Sequence, residues 1–139
     1  MRNLMQALKL PTNWWKKLVL FGLSTFFIYT GIHHFVNPGF YLSIMPPAFP
    51  LHTEAVYISG FFEVVGGVCV LIPRLRKIAG WGLVALLVAV YPANIYMAIT
   101  PEAFPDIHVA LLYVRLAFQF LFFYWAFSVT RPGYNSAVQ

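Results

Sequence analysis

Charge is scarce in this chain and cysteine nearly absent. Asp, Glu, Lys and Arg make up 9% of its 139 residues, and only four of them are acidic. A soluble domain of this size carries about 25%. The single cysteine, Cys69, excludes an internal disulfide and a CxxC redox pair, and a lone buried cysteine is ordinarily a packing residue. No repeat or low-complexity segment is present. Nothing matches a phosphate loop, a nucleophile elbow or a paired-carboxylate acid/base site.

What the chain has in quantity is apolar side chain: 60% of residues, at a mean hydropathy of +0.73. It gathers in four runs, at 18–36, 55–72, 78–99 and 109–129. Each is about 20 residues long, enough to cross a hydrocarbon core of about 30 Å as a helix. The pattern predicts an all-α membrane protein, a bundle of four transmembrane helices. A membrane domain over 18–129 would follow an interfacial N-terminal segment, 1–17, and precede a tail, 130–139. A cleaved signal peptide fits the first run poorly, because the run is long and ends in His33-His34-Phe35, not in small residues.

The net charge of +5 records topology and not affinity for nucleic acid. Arg2, Lys9, Lys16 and Lys17 precede the first run, Arg74, Arg76 and Lys77 lie between the second and third, and Arg131 follows the fourth. The connections 37–54 and 100–108 contain no Lys or Arg. Positive residues stay in the cytoplasm, so both termini are expected inside, in a plasma (inner) membrane. Trp14, Trp15, Trp81 and Trp125 fall near the same side, as headgroup anchors would.

The connection 37–54 is long and unusually apolar, with Phe40, Tyr41, Leu42, Ile44, Met45, Phe49 and Leu51 among four prolines. A polar tether would not need those side chains. It reads as a lid over the outer mouth of the bundle. In the third run, Pro92 leaves a carbonyl free near Val88, which a neighbouring group must satisfy.

Within the four runs the only Asp, Glu, Lys or Arg residues are Glu63 and Arg115. A charge inside a membrane segment costs about 3 kcal/mol on insertion scales, so it tends to face a protein interior or wet cavity with a partner. At about 1.5 Å per residue, Glu63, Arg115 and Asn94 come to similar depths in the outer half. His33 and His34 lie above them, and Gln119 lies one turn below Arg115. His108, Arg115 and Gln119 share a face of the last helix. The expected cluster is therefore Glu63 paired with Arg115, with Asn94, Gln119 and one of His33 and His34 nearby. Two compatible readings follow. One is a buried ion pair that only fixes packing. The other is a polar pocket for a small molecule or the headgroup of a lipophilic one. Adjacent histidines point about 100° apart on a helix, so His33 and His34 do not readily share a metal ion.

The ordered set Gly31-Ile32-His33-His34-Phe35, Pro38, Pro46-Pro47, Ser59–Gly67, Ile72-Pro73-Arg74, Ala79–Leu83 and Pro92–Ala98 resembles the DoxX-like family of small bacterial four-helix membrane proteins. The resemblance covers roughly residues 18–128. It implies a four-helix bundle and, as in some relatives, an accessory subunit of a membrane-associated redox system, with a membrane or redox protein as partner. Alternatives are an enzyme or carrier binding a quinone or other lipophile in the outer pocket, or a membrane-protein assembly factor. Fold analogy alone does not supply a function.

Overall fold

The computed structural model describes residues 10–131 and Tyr134. The expected tail beyond 134, and residues 1–9 of the expected interfacial segment, lie outside the described residues. Within them the chain is helical. Helix α1 (Trp14–Val36) is followed by the short α2 (Pro38–Ser43), then α3 (His52–Cys69) and α4 (Arg76–Ile99). A 3-10 turn (Pro101–Ala103) leads to α5 (Val109–Ser128).

The helix boundaries follow local chemistry. Asn13 caps α1, its Oδ1 accepting from the Trp15 N–H at 2.8 Å, which satisfies a donor the helix cannot. Trp14–Lys17 is thus the first turn of α1. His108 caps α5 in the same way, Nδ1 accepting from the Ala110 N–H at 3.2 Å. That cap, and not a shared face with Arg115, is its part in the structure. Pro38 opens α2 at a first-turn position, where its missing N–H costs nothing. Leu51, immediately before α3, has a left-handed backbone with φ 54°.

Among the described residues, three helices are long and apolar enough to cross a membrane: α1, α4 and α5. The fourth long helix, α3, has 18 residues, opens with His52, Thr53 and Glu54, and carries Glu63. Those polar residues dilute its hydropathy. Its outward face is nevertheless apolar, with Ile58, Phe61, Phe62, Val65 and Val68 exposed.

The long helices run alternately up and down. α1 and α3 approach most closely, through glycines. A Cβ on Gly31 would lie 2.7 Å from the Gly60 carbonyl oxygen, and one on Gly60 would lie 2.6 Å from His34 Cβ. One turn pair lower, the Ser24 hydroxyl donates to the Gly67 carbonyl at 2.6 Å. Small residues let backbones meet where lipid offers little hydrophobic drive. α4 lies against α5, and α3 contacts α4 through Gly66 and Leu83.

Two apolar clusters fill the bundle. One sits toward the short turn between α3 and α4, around Leu20, Leu23, Phe27, Val70, Leu83 and Ala126. The other sits at the long-loop end and joins Ile44 to Met97, Phe104 and Leu112, with Phe40 and Tyr41 against it. The long connection therefore packs onto the bundle end through buried side chains, as expected of a lid. Along α4 and α5, the polar residues Asn94, Arg115 and Gln119 fall between these two clusters.

At the short-turn end, Arg76 is drawn into the bundle. It is 1% exposed, and donates to the carbonyls of Val70 at 2.7 Å and Leu71 at 3.0 Å. Those carbonyls follow the C-terminus of α3, where a cation is favoured. Trp125 is likewise drawn inward, its Nε1–H donating to the Val19 carbonyl at 2.9 Å.

Candidate functional site

His34 on α1 is pinned by Val56 on α3: its Nδ1 lies 2.9 Å from the Val56 carbonyl oxygen. Its Nε2 faces Glu63 Oε1 at 3.4 Å, with both residues buried. The spacing explains the pairing. His34 sits one turn past Gly31, and Glu63 three residues past Gly60, so the glycine contact sets the two side chains at one level. The Tyr41 ring stacks on His34 at 3.6 Å between centroids, and its hydroxyl lies 3.2 Å from His33 Nδ1. Burial pushes the Tyr41 phenol up to about 12, so it stays neutral at ordinary pH. Glu63 Oε2 is buried and has no hydrogen-bond partner among the described residues.

A second chain of polar groups crosses from α4 to α5. Gln119 Nε2 donates to the Leu87 carbonyl at 2.9 Å, and Gln119 Oε1 accepts from Asn94 Nδ2 at 2.9 Å. Leu87 adjoins the residue whose carbonyl Pro92 cannot serve, so Gln119 supports the helix close to that break. Asn94 Oδ1 then faces Arg115, whose Nη2 donates to it at 3.4 Å. The guanidinium also lies over the Phe40 ring, 5.9 Å away, and close to Tyr41.

Glu63 and Arg115 do not form the direct ion pair the sequence suggests. Glu63 is held by His34 instead, because the α1–α3 glycine contact is tighter than any approach of α3 to α5. The two residues share walls, however. A cavity of ≈ 360 Å³ between α3, α4 and the long connection is lined by His34, Tyr41, Glu63, Asn94 and Arg115, among apolar side chains. A second, of ≈ 580 Å³ between α1 and α5, is lined by the same five residues, with Gln119. The five polar side chains thus stand as a partition between two largely apolar chambers, each in the size range of a small-ligand site.

Of the residues expected in the cluster, His34, Glu63, Asn94, Arg115 and Gln119 line these cavities, while His33 stands behind Tyr41. Tyr41 itself was not foreseen. The signal for it was present in the apolar long connection, but nothing there singles out which aromatic ring reaches the histidines.

The family model that matches this chain, over residues 23–130, is DUF8561, described as a domain of unknown function. The chain belongs to the DUF8561 family. The match spans α1 to α5 and includes every residue of the polar partition. Comparison with curated proteins and with solved structures returned no match.

Proposed function

We propose that this chain is a four-span protein of the plasma (inner) membrane, with both termini cytoplasmic. In this reading it binds a small lipophilic molecule, a quinone or a lipid among the candidates, through the polar partition in the outer half of its bundle. The observation that carries the ligand reading is the pair of unfilled polar valences on one partition: Glu63 Oε2 without a donor and Arg115 with one long bond. A buried polar atom left unpaired costs about 1–3 kcal/mol, which a ligand can recover.

The apolar outward face of α3 supports the fourth span, since Glu63 turns inward and only the first turn is polar. Reporter fusions at residues 45 and 104 should read as external, and at residue 76 as internal. An external signal at residue 76 would overturn the orientation. The ligand reading is tested by organic extraction of the purified protein and mass spectrometry. One lipophile per chain is expected from the parent and much less from Arg115→Gln. An extract holding only bulk lipid in both would sink it.

A second reading, kinship with DoxX-like proteins and an accessory role in a membrane redox system, is favoured by one feature. Gly31, His34, Gly60 and Glu63, which carry that resemblance, are the residues that join α1 to α3. A protein partner co-purifying in stoichiometric amount, with no bound lipophile, would favour it over the first.

A further inference from the structure

The hydrogen bonds around His34 and Gln119 fix the charge of the partition. A backbone carbonyl only accepts, so the His34 nitrogen facing Val56, Nδ1, carries a proton. Nε2 and Glu63 Oε1 then face each other at 3.4 Å, and two lone pairs in that position repel. A single proton must lie between them. It sits either on the imidazole, giving an imidazolium and a carboxylate, or on the carboxyl, giving two neutral groups. Both forms sum to zero charge, and both leave Oε2 as an acceptor with no donor.

The same logic orients the other chain. The Leu87 carbonyl accepts, so Gln119 presents its nitrogen there and its oxygen to Asn94. Asn94 must then present its oxygen to Arg115. A neutral amide oxygen at 3.4 Å and the face of Phe40 do not balance a guanidinium. The other titratable groups at the partition are Tyr41 on α2, which is neutral, and His33 on α1, bonded to Tyr41. Among the described residues, no Asp, no second Glu and no Lys lines either cavity. Arg115 therefore stands, among the described residues, as the one uncompensated charge between the two apolar chambers, with most of its five donors unused.

Resting on the ligand reading above, we infer that the occupant is an amphipathic molecule with an anionic oxygen head. The head binds Arg115, an O–H or N–H beside it donates to Glu63 Oε2, and its apolar part fills one of the two chambers. A cationic amphipath is excluded by the charge of Arg115, and a purely neutral one leaves that charge unmet. A free hydroxylated acid and the headgroup of an anionic lipid share this chemistry.

The test uses delipidated protein in zwitterionic nanodiscs, with thermal unfolding as the readout. The probes are 3-hydroxydodecanoate, dodecanoate, dodecanol and dodecylamine, together with nanodiscs containing phosphatidylglycerol. The expected order of protection is 3-hydroxydodecanoate, then dodecanoate, then dodecanol, with none from dodecylamine. Arg115→Gln should weaken binding of the acids about tenfold or more, the worth of a charge-assisted hydrogen bond. Arg115→Lys should restore part of it. Circular dichroism and a single elution peak establish that both variants fold. Protection by phosphatidylglycerol alone would assign the site to a lipid headgroup, and protection by the free acids would assign it to a soluble amphipath; either supports the inference. Equal protection by dodecanol or dodecylamine, or full retention in Arg115→Gln, would overturn the anionic head while the lipophile site stands. Protection by no probe would overturn both.

Discussion

Two arginines at opposite levels of the bundle are handled in opposite ways. Arg76, at the short-turn end, is 1% exposed and gives two short bonds to carbonyls that follow α3. Arg115, in the polar layer, is exposed, lines both cavities and gives one bond of 3.4 Å. The first closes a helix end and is satisfied by the fold. The second is held between chambers of ≈ 360 and ≈ 580 Å³ and is left largely unsatisfied. The two charges are thus told apart by burial and by what their donors reach, not by residue type; in the proposed ligand reading it is the second that meets the ligand.

Removing the donors should separate the two regions most strongly. Arg76→Leu strips the buried Val70 carbonyl and the part-buried Leu71 carbonyl of their donor, at a cost of about 3 kcal/mol. Arg115→Leu should stay within about 1 kcal/mol of the parent in ligand-free protein. Unfolding by SDS titration from dodecyl maltoside micelles measures both, and a larger loss at Arg115 would erase the distinction. The α1–α3 contact that sets the level of His34 and Glu63 comes next. Gly60→Ala forces a methyl to 2.6 Å from His34 Cβ and 2.9 Å from the Gly31 oxygen. It should cost about 2 kcal/mol, typical of overpacking. Gly82→Ala, where a Cβ meets nothing within 4 Å, is the matched control and should be neutral or slightly stabilising. The smallest effect is expected at the lid hinge. Leu51 holds φ 54°, a conformation costing a side chain about 1 kcal/mol, which glycine adopts freely. Part of that gain is lost to the freer unfolded chain, so Leu51→Gly should raise the unfolding midpoint only slightly. A marked fall would mean that the Leu51 side chain, not its backbone, matters to the lid.

The helices were legible because membrane-length apolar runs and their flanking charges are long-range patterns that neighbours cannot mask. The lid was legible for a similar reason, since apolar residues such as Ile44 have no use in a solvated tether. Depth along each helix also brought Glu63, Asn94 and Arg115 to similar levels, with His34 above them and Gln119 one turn below. Depth says nothing of azimuth, however. Which of several groups at one level meets Glu63 depends on how closely each pair of helices approaches. That was decided by Gly31 and Gly60, whose spacing favours α1 against α3 and hands Glu63 to His34. The part played by Arg76 was not legible for a different reason: a Lys/Arg count over a turn treats its members alike, while one of them serves the helix end beside it.

The assignment of Glu63 to His34 underlies the free charge on Arg115, and a pair of double-mutant cycles tests it directly. Unfolding free energies are measured in ligand-free protein for Glu63→Gln with His34→Gln, and for Glu63→Gln with Arg115→Gln. Contacting residues couple by about 0.5–3 kcal/mol, and independent ones add. The account predicts coupling of about 1 kcal/mol between Glu63 and His34, and additive losses for Glu63 and Arg115. Strong coupling of Glu63 to Arg115, with additivity toward His34, would make the layer a closed ion pair and contradict the account.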